Sequence, residues 1–519
     1  MDTKALRQKI LDLAIRGKLV PQDPNDEPAE VLLERIREQK QQMLKEGKLK
    51  KKDIKNDTII FKGEDNLHYE KFQDGTVKCI EDEIPFEVPE GWAWCRLNDI
   101  YNFIDYRGAT PTKIINGIPL VTAKNVKSGY IDYTIDDYIS EEEFKERQQR
   151  GISKKGDILF TTEAPLGNAA LADMEKFSAG QRLITFQQYG SKNELINYVM
   201  LMFILSDFFQ QQLYVNKTGS TVAGIKAAIL KTLWIPVPPY NEQLRISNTL
   251  KSAINLIDSI SKNKEILSTS ISNTKSKILD LAIRGKIVPQ DPNDEPASVL
   301  LERIRAEKEE LIKQGKIKRD KKESVIFKGD DNSYYEKIGN KVNCIDEEIP
   351  FELSEGWAFI RLKTAWELIS GRDLSPSEYN DKNDGIPYIT GASNFRNGHI
   401  SLVRWTTVPQ VITRRGDLLL TCKGTIGEIA HNNFGEAHIA RQIMAIRNIY
   451  SLNVDFLALC IEYSMTKIKQ AANGLIPGIS REDILNLVIP IPPTKEQENI
   501  CNKLKATFSA IEHIEKSLN

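Results

Sequence analysis

The sequence KILDLAIRGKLVPQDPNDEPAEVLLERIR, residues 9–37, recurs as KILDLAIRGKIVPQDPNDEPASVLLERIR at residues 277–305. A near-identical repeat of this length indicates that the whole architecture is duplicated. Each copy starts with apolar residues at helical spacing, continues through a proline-containing turn and ends in an amphipathic segment, which predicts helix, turn and helix. Only two positions differ between the copies: Leu19 against Ile287, and Glu30 against Ser298.

Length and composition are those of a soluble, multidomain protein. The chain has 519 residues, of which 40% are hydrophobic and 28% charged. At about 150 residues per domain, this length predicts roughly three or four domains. The longest apolar run, near 199–209, is interrupted by Ser206 and Asp207 and is too short to span a membrane. Because the N-terminus also lacks an apolar signal core, we expect the protein to be cytoplasmic.

Charge and metal-ligand spacing exclude several functional classes. With 71 basic and 72 acidic side chains the formal net charge is −1, which argues against a non-specific DNA coat and permits local basic faces. The basic runs at 45–55 and 313–322 are interpreted either as solvated helix ends or as phosphate-contacting faces. The cysteines and histidines form no zinc spacing, so we expect reduced thiols and no metal site.

A second repeated segment follows each copy of the first. Short β-prone runs at 58–61, 68–72 and 76–80 are separated by glycine turns, which predicts a small hairpin region with a counterpart at 325–345. Both regions end in a proline-rich phrase, IPFEVPEGWAWCRL at 84–97 and IPFELSEGWAFIRL at 349–362. We expect its glycine-tryptophan pair to form a turn that buries the indole at the entrance of a domain.

The intervals that follow, 92–235 and 357–489, have diverged. Both show short strands, glycine-rich turns and an apolar helix, which in the first interval is predicted near 195–213. They share only sparse landmarks in the same order: GIP at 117 and 385, GDIL at 156 against GDLL at 416, and Gly-Ile at 224 and 478. Loops change faster in sequence than helices, which explains part of the contrast between these diverged intervals and the near-identical repeats. We interpret the near-identical helices as a fixed support and the divergent domains as exchangeable recognition elements.

Each interval ends in a third repeated phrase, IPVPPYNEQ at 235–243 and IPIPPTKEQ at 489–497. No proline or glycine occurs from 242 to 284, which predicts one helix about 60 Å long. A helix at 496–519 joined to the one at 2–16 would recreate this central helix. The order therefore predicts a circularly permuted pseudo-two-fold arrangement, with antiparallel terminal helices and the two domains at opposite ends.

No catalytic motif is present in the sequence. Phosphate-binding glycine loops, a nucleophile elbow and paired metal-binding histidines are all lacking. The segment VPPY at 237–240 is similar to the NPPY loop of amino-methyltransferases, but it lacks the leading Asn or Asp and its counterpart reads IPPT. Glu163 and Glu428 lie in glycine-rich turns without an obvious carboxylate partner. We therefore predict no catalytic, cofactor-binding or metal-binding residue.

The ordered combination of LDLAIRGK, PQDPNDEP, two divergent domains and two PPxxEQ exits resembles the specificity subunit of a type I restriction-modification enzyme. This resemblance covers essentially the whole chain. It implies an α+β fold in which two mixed α/β target recognition domains are joined by long antiparallel coiled-coil helices in a circularly permuted pseudo-two-fold arrangement. The expected segments are an N-terminal helical support at 1–55, a hairpin and entrance at 56–91, recognition domain 1 at 92–240, the central helix with the repeated support at 241–320, a hairpin and entrance at 321–356, recognition domain 2 at 357–493, and a C-terminal helix at 494–519.

The resemblance implies a non-catalytic subunit that recognises double-stranded DNA. Each recognition domain would read one half of an asymmetric bipartite site, and the helices would set the spacing and dock two methyltransferase subunits. Two restriction subunits would join the full complex, and S-adenosylmethionine, ATP and Mg would be bound by the partners. The alternatives are a protein-only scaffold whose duplicated domains bind peptides or subunits, and a chain that itself methylates or cuts DNA.

Readout of base edges requires basic, amide and hydroxyl side chains on turns, with others contacting phosphates. For each candidate, an ordinary solvated loop residue is the alternative interpretation. The candidates in the first domain are Arg107, Lys124, Asn125, Arg182, Lys217, Thr218 and Ser220, and those in the second are Arg372, Asn394, Arg396, Lys423, Thr425, Arg441 and Gln442.

Overall fold

The segment without proline or glycine forms a single helix, Tyr240–Ile283, of 44 residues. The computed structural model describes residues 2–106, 110–190, 194–219, 223–317, 319, 323–396, 398–450, 452–471 and 478–518. The chain divides into two compact units, Met1–Lys264 and Glu265–Asn519. The long helix therefore contributes its first part to unit 1 and its last part to unit 2.

Unit 1 combines the first repeated helices with three sheets and a two-stranded ribbon. The helices are α1 (Thr3–Ile15), α2 (Ala29–Lys45), α3 (Leu97–Ile100), α4 (Glu141–Arg147), α5 (Asn197–Ile204), α6 (Asp207–Val215), α7 (Ala227–Leu230) and α8 (Tyr240–Ile283). The strands are β1 (Thr58–Lys62), β2 (His68–Phe72), β3 (Val77–Cys79), β4 (Ala93–Arg96), β5 (Tyr101–Asp105), β6 (Ile118–Val121), β7 (Tyr138–Ile139), β8 (Ile158–Thr162), β9 (Leu166–Leu171), β10 (Ser178–Ala179), β11 (Leu183–Gln188) and β12 (Trp234–Val237).

Unit 2 repeats this plan with an expanded set of short strands. Its helices are α9 (Ala297–Lys313), α10 (Leu362–Ala365), α11 (Val454–Ala471), α12 (Arg481–Leu485) and α13 (Thr494–Leu518). Its strands are β13 (Ser324–Lys328), β14 (Tyr334–Ile338), β15 (Lys341–Cys344), β16 (Ala358–Arg361), β17 (Trp366–Ser370), β18 (Ile386–Ile389), β19 (Phe395–Arg396), β20 (His399–Ile400), β21 (Trp405–Thr406), β22 (Ile412–Thr413), β23 (Leu418–Thr421), β24 (Ile429–His431), β25 (Ala437–Ile439), β26 (Ile443–Asn448) and β27 (Val488–Ile491).

Equivalent sheets occur in the two units. The central antiparallel sheet has the order β5-β11-β8-β9 in unit 1 and β17-β26-β23-β24 in unit 2. A smaller sheet contains one parallel pair, β10-β6 or β25-β18. The entrance and exit strands pair as β12-β4 and β16-β27, and the predicted hairpin regions form the sheets β1-β2-β3 and β13-β14-β15. The predicted mixture of helices and strands is therefore confirmed.

Within each unit the terminal helix packs antiparallel against its part of α8. In unit 1, Arg7 forms an ion pair with Asp258, while Arg245, near the start of α8, pairs with Asp26 beyond the end of α1. In unit 2, Lys275 lies 2.8 Å from Glu515 near the end of α13. Because these contacts between helices are made by charged side chains, the apolar side of each helix is free to pack into the core.

The arginine-glycine sequence that ends each first repeated helix is packed against the entrance tryptophan. Gly17 has a φ of +64°, and a Cβ there would lie 2.3 Å from Cγ of Pro89 and 3.1 Å from the ring of Trp92. A Cβ at Gly285, whose φ is +69°, would lie 2.8 Å from the ring of Trp357. Glycine therefore both ends the helix and lets the indole approach.

The core of each unit is built jointly from the repeated helices and the variable domain. In unit 1, Leu11, Leu32, Trp92, Phe203 and Leu250 belong to one buried cluster. The equivalent repeated helices and variable domain form the core of unit 2. The divergent domain therefore shares a core with the repeated helices on which it lies.

The apolar helix predicted near 195–213 is wrong in one respect, because two helices, α5 and α6, occupy the segment. Ser206 separates them: its Oγ accepts a hydrogen bond from the backbone N–H of Phe209, as an N-cap residue does. Among the helices that the structure describes, none has an apolar stretch sufficient to cross a membrane.

Candidate nucleic-acid interface

One end of the central sheet carries three of the five predicted recognition residues that the structure describes in unit 1, and the equivalent end carries five of seven in unit 2. In unit 1, β5 and β8 end there and β9 and β11 begin there, because neighbouring strands are antiparallel. In unit 2, β17, β23, β24 and β26 place their equivalent ends in the same way. We call these two regions the loop ends of the sheets. Loops supported by a rigid sheet edge are typical positions for binding residues.

At the loop end of unit 1, Arg182 lies beside Glu163. Their Nε and Oε1 atoms are 3.0 Å apart, and both side chains are about half exposed, at 54% and 43%. Burial is too small for this pair to stabilise the fold strongly, so both groups are accessible for exchange with a ligand. The pair explains why sequence inspection found no carboxylate partner for Glu163: its partner is a guanidinium.

A cleft of about 660 Å³ lies at this loop end. Thr218 belongs to its wall, and its backbone is fixed by reciprocal hydrogen bonds with Gly224 of 2.8 and 3.0 Å. Lys217 is exposed next to it, with its Nζ 4.6 Å from the ring centre of Tyr214. Arg107 and Ser220 lie outside the described residues. Sequence reasoning missed four further polar residues that line the cleft: Asp105, Thr162, Gln181 and Lys226.

The loop end of unit 2 carries five of the predicted residues. Arg441 is held by Asp373, whose carboxylate lies 2.6 Å from its Nε and also accepts a 3.0 Å hydrogen bond from its backbone N–H. All five side chains are exposed: Arg372, Lys423, Thr425, Arg441 and Gln442. Three of the five are cations: Arg372, Lys423 and Arg441.

Strand register gives a position-by-position comparison of the two loop ends. Leu183 pairs with Thr161 in unit 1 as Ile443 pairs with Thr421 in unit 2. In both pairs the residue number in unit 2 exceeds that in unit 1 by 260. By the same difference, Glu163 corresponds to Lys423. This difference also sets Gln181-Arg182 against Arg441-Gln442, so that the order of amide and cation is reversed. The GDIL and GDLL sequences, which begin at 156 and 416, are related by the same difference in residue number. One equivalent backbone position therefore carries side chains of opposite charge in the two units, Glu163 and Lys423.

Asn125, a predicted DNA contact, is instead buried, with 3% of its surface exposed. Its Oδ1 accepts hydrogen bonds from the backbone N–H and the hydroxyl of Thr122, and its Nδ2 donates to the carbonyl oxygens of Asp132 and Ile135. These four bonds satisfy the whole amide group. The structure thus gives Asn125 a role in positioning the loop in place of the predicted contact with a base.

Asn394 is the equivalent residue in unit 2 and is corrected in the same way. It is 1% exposed; its Oδ1 accepts from the N–H and the hydroxyl of Thr390, and its Nδ2 donates to the carbonyl of Ser401. Sequence spacing could not distinguish these satisfied amides from available ones. Lys124 and Arg396, on the same two loops, are exposed and stay candidates.

The opposite end of each central sheet holds a buried carboxylate in unlike surroundings. Burial raises the pKa of Asp157 to about 6. Hydrogen bonds donated by the backbone N–H of Lys154 and by the side-chain amide of Gln187 act in the opposite direction and lower this pKa. At the equivalent position, Asp417 pairs with the guanidinium of Arg447 at 2.8 Å. The residues that the structure describes include no cluster of side chains able to hold a metal ion.

Sequence and structure comparisons relate this chain to known proteins. The sequence pattern of the type I restriction modification DNA specificity domain matches residues 89–268 and 354–519, more than half of the chain. The chain is similar to the specificity subunit of the Escherichia coli type I restriction enzyme EcoAI, with 27% identity over 97% of this chain and 90% of that protein. Its similarity to the EcoEI specificity subunit, also from Escherichia coli, is 27% over 99% of this chain and 90% of that protein.

Solved structures show a likeness of fold. One chain, from a study of the structural basis underlying complex assembly and conformational transition of the type I R-M system, superposes with a TM-score of 0.56. The superposition covers 84% of this chain and 94% of that chain at 20% identity. At this identity, the likeness concerns the fold alone.

Proposed function

The chain belongs to the type I restriction modification DNA specificity family, and from this membership we propose that its two units divide the recognition of one DNA site between them. Each recognition domain reads one half of an asymmetric, bipartite sequence in double-stranded DNA. The loop ends of the central sheets supply the reading side chains.

The opposite charge at Glu163 and Lys423 carries this proposal. A carboxylate accepts hydrogen bonds, for example from the amino group of cytosine, whereas lysine donates to O6 and N7 of guanine in the major groove. Two domains with equivalent backbones and unlike side chains would select different bases, so the two half-sites would differ. Cations and hydroxyls beside them would contact phosphates.

The helices have two roles in the proposal. Helix α8 sets the distance between the half-sites, and the repeated helices dock two methyltransferase subunits. Two copies of the sequence at 9–37 and 277–305 provide equal surfaces for two equal partners. The full complex also contains two restriction subunits.

Chemistry is assigned to the partners. S-adenosylmethionine is bound by the methyltransferase subunits, and ATP with Mg by the restriction subunits. Isothermal titration of the isolated chain with S-adenosylmethionine or ATP should give no binding heat. Saturable binding of either compound would mean that this chain takes part in catalysis.

The decisive experiment measures DNA binding by the chain together with its methyltransferase subunit. We expect specific binding to duplex DNA that weakens steeply as salt increases, because contacts with phosphates release counterions. Methylome sequencing of cells that carry both genes should reveal one bipartite adenine-methylated motif. If the assembled complex binds no DNA at any salt concentration, the alternative of a protein-only scaffold replaces this proposal.

A further inference from the structure

The two small sheets formed by the repeated hairpin regions have matching outward faces. In β1-β2-β3, six side chains lie on one face in two rows across the strands. One row is Ile59, Lys71 and Val77, and the other is Phe61, Tyr69 and Cys79. The sheet β13-β14-β15 has the same register. We call these sets the outer faces: Ile59, Phe61, Tyr69, Lys71, Val77 and Cys79 in unit 1, and Val325, Phe327, Tyr335, Lys337, Val342 and Cys344 in unit 2.

The reverse face of each sheet is held against its unit. Glu70 lies 3.0 Å from the guanidinium of Arg96, and Glu336 lies 2.7 Å from that of Arg361. The four side chains are between 6% and 14% exposed. These ion pairs fix which face is turned inward, since side chains alternate between the faces of a strand.

Apolar groups on the outer faces are exposed to solvent. Val77 is 52% exposed and Val342 51%, while Phe61 and Phe327 are 36% and 42% exposed. Each set of six includes one exposed lysine, and an exposed aspartate, Asp65 or Asp331, lies beside its tyrosine hydroxyl. Exposed apolar groups arranged together on a rigid sheet are typical of a surface that binds another protein.

Side-chain geometry on the two faces is the same. The rings of Phe61 and Tyr69 are stacked with centroids 5.8 Å apart and an interplanar angle of 25°, and those of Phe327 and Tyr335 with 5.8 Å and 27°. Each tyrosine hydroxyl donates a 2.7 Å hydrogen bond to an aspartate four residues earlier. A Cβ at Gly63 would lie 2.8 Å from the ring of Tyr69. The rings are thus held in place before any partner binds.

Sequence identity between the units is concentrated on the exposed face. Five of the six outer-face positions carry the same residue in both units, and the sixth is Ile59 against Val325. Positions on the reverse face differ more: Thr58 against Ser324, His68 against Tyr334, Phe72 against Ile338, and Lys78 against Asn343. Of these positions in unit 1, Thr58 is buried and His68 half-buried, whereas Phe72 and Lys78 are exposed, so faster drift at exposed positions explains only part of the difference.

We propose that each outer face docks one copy of the same methyltransferase subunit, which extends the docking role of the repeated helices in the proposed function. Two equal surfaces on one chain fit two equal partners. The exposed lysine among apolar groups fits an apolar patch on the partner that carries a carboxylate. Phosphates would not be matched by the valine, phenylalanine and tyrosine side chains, so DNA fits this surface less well.

The native cysteines allow a direct test of occupancy. Cys79 and Cys344 on the outer faces are exposed, whereas Cys95, Cys422, Cys460 and Cys501 are buried and serve as internal controls. Alkylation by N-ethylmaleimide, followed by mass spectrometry, should label Cys79 and Cys344 in the full-length chain alone. Adding the methyltransferase subunit should protect both. Protection by duplex DNA in the absence of that subunit would overturn the proposal in favour of a DNA contact.

Substitutions then test the surface itself. Val77→Glu and Val342→Glu place a charge at exposed positions, so both variants should fold, as circular dichroism and thermal unfolding would verify. Each should weaken one docking site by about tenfold or more, which native mass spectrometry would record as a fall from two methyltransferase copies per chain to one. Ile115→Glu, at an apolar residue that is 89% exposed outside the small sheets, is the matched control and should keep both copies.

Failure of this inference and failure of the proposed function give different results. If both valine variants keep two copies with unchanged affinity and the cysteines stay reactive in the complex, the outer faces are not the docking surface. DNA binding by the wild-type complex, measured in parallel, tests recognition separately. A wild-type complex that protects both cysteines but binds no DNA would support the docking surface and reject the recognition function.

Discussion

The indole Nε1 of Trp92 donates a 2.9 Å hydrogen bond to Oε2 of Glu242, and these residues lie at the entrance and exit of the first variable domain. Trp357 and Glu496 repeat this bond at 2.9 Å in unit 2. Burial raises the pKa of Glu242, and hydrogen bonds from Trp92 and Gln22 oppose that effect. The bond therefore joins both ends of a divergent domain to the repeated helices through unchanged residues.

Trp92→Phe should destabilise the protein, because it removes the indole donor from a buried carboxylate while keeping an aromatic ring. We expect the free energy of unfolding in urea to fall by about 1–3 kcal/mol from loss of the hydrogen bond. Trp94→Phe is the control, since the buried Nε1 of Trp94 has no hydrogen-bond partner among the described residues. An equal loss in both variants would attribute the effect to packing alone.

Lys40→Met should destabilise more than the equivalent Lys308→Met. Lys40 is 1% exposed and lies 2.6 Å from Asp57, whose pKa is raised by burial and lowered by this lysine. Removing the lysine leaves the buried carboxylate without its ion-pair partner and with the hydrogen bond from Asn98, which should cost about 3–5 kcal/mol. Lys308 lies 3.1 Å from the more exposed Glu323, and its loss should cost about 1 kcal/mol or less. Urea unfolding of both variants measures the difference; similar losses would contradict the assigned role of burial.

Gln187→Arg should change the pH dependence of stability. With its pKa raised to about 6, Asp157 keeps a proton in the folded state that the unfolded chain releases near pH 4, so the free energy of unfolding falls as pH rises between those values. A guanidinium at 187, as Arg447 provides for Asp417, should lower this pKa and reduce the fall. Asp157→Asn should reduce it too, and urea titrations across this pH range provide the measurement. A wild-type slope in both variants would show that Asp157 is not its source.

Lys423→Ala should relax the sequence requirement in one half-site only. Lys423 is exposed at the loop end of unit 2, where we propose that it donates to a base edge. Loss of a base contact costs about 1–3 kcal/mol at one position, so methylome sequencing should show a degenerate position in one half of the motif. Arg415→Ala, at the opposite end of the same sheet, should leave the motif unchanged. An unaltered motif in the Lys423 variant would remove this residue from the reading set.

Lengthening α8 should lengthen the gap in the recognised motif. Seven helical residues inserted after Ser268 add two turns, or about 10 Å, which corresponds to roughly three base pairs. Both half-sites should stay the same, since neither recognition domain is altered. Methylome sequencing before and after the insertion measures the gap. If the gap keeps its length, α8 does not determine the spacing.

Regular elements were predictable because their signals are local. Absence of proline and glycine predicted α8 to within two residues at its start and one at its end, and glycine turns predicted the small sheets. The loop ends were less predictable. Spacing identified Asn125 and Lys124 equally well, but only the fold shows that one amide is satisfied internally while the neighbouring lysine is exposed. Likewise, the partner of Glu163 is 19 residues away in sequence and is brought near by strand pairing.

The reversed charge at Glu163 and Lys423 gives the molecule a polarity. A chain with two equal recognition surfaces would bind its DNA site equally well in either direction. Unlike charges at one repeated position remove that degeneracy, although the outer faces carry the same residue at five of six positions. Under the proposed function, the complex would therefore bind its DNA site in one direction only. Each of the two identical methyltransferase subunits would lie next to a different half-site.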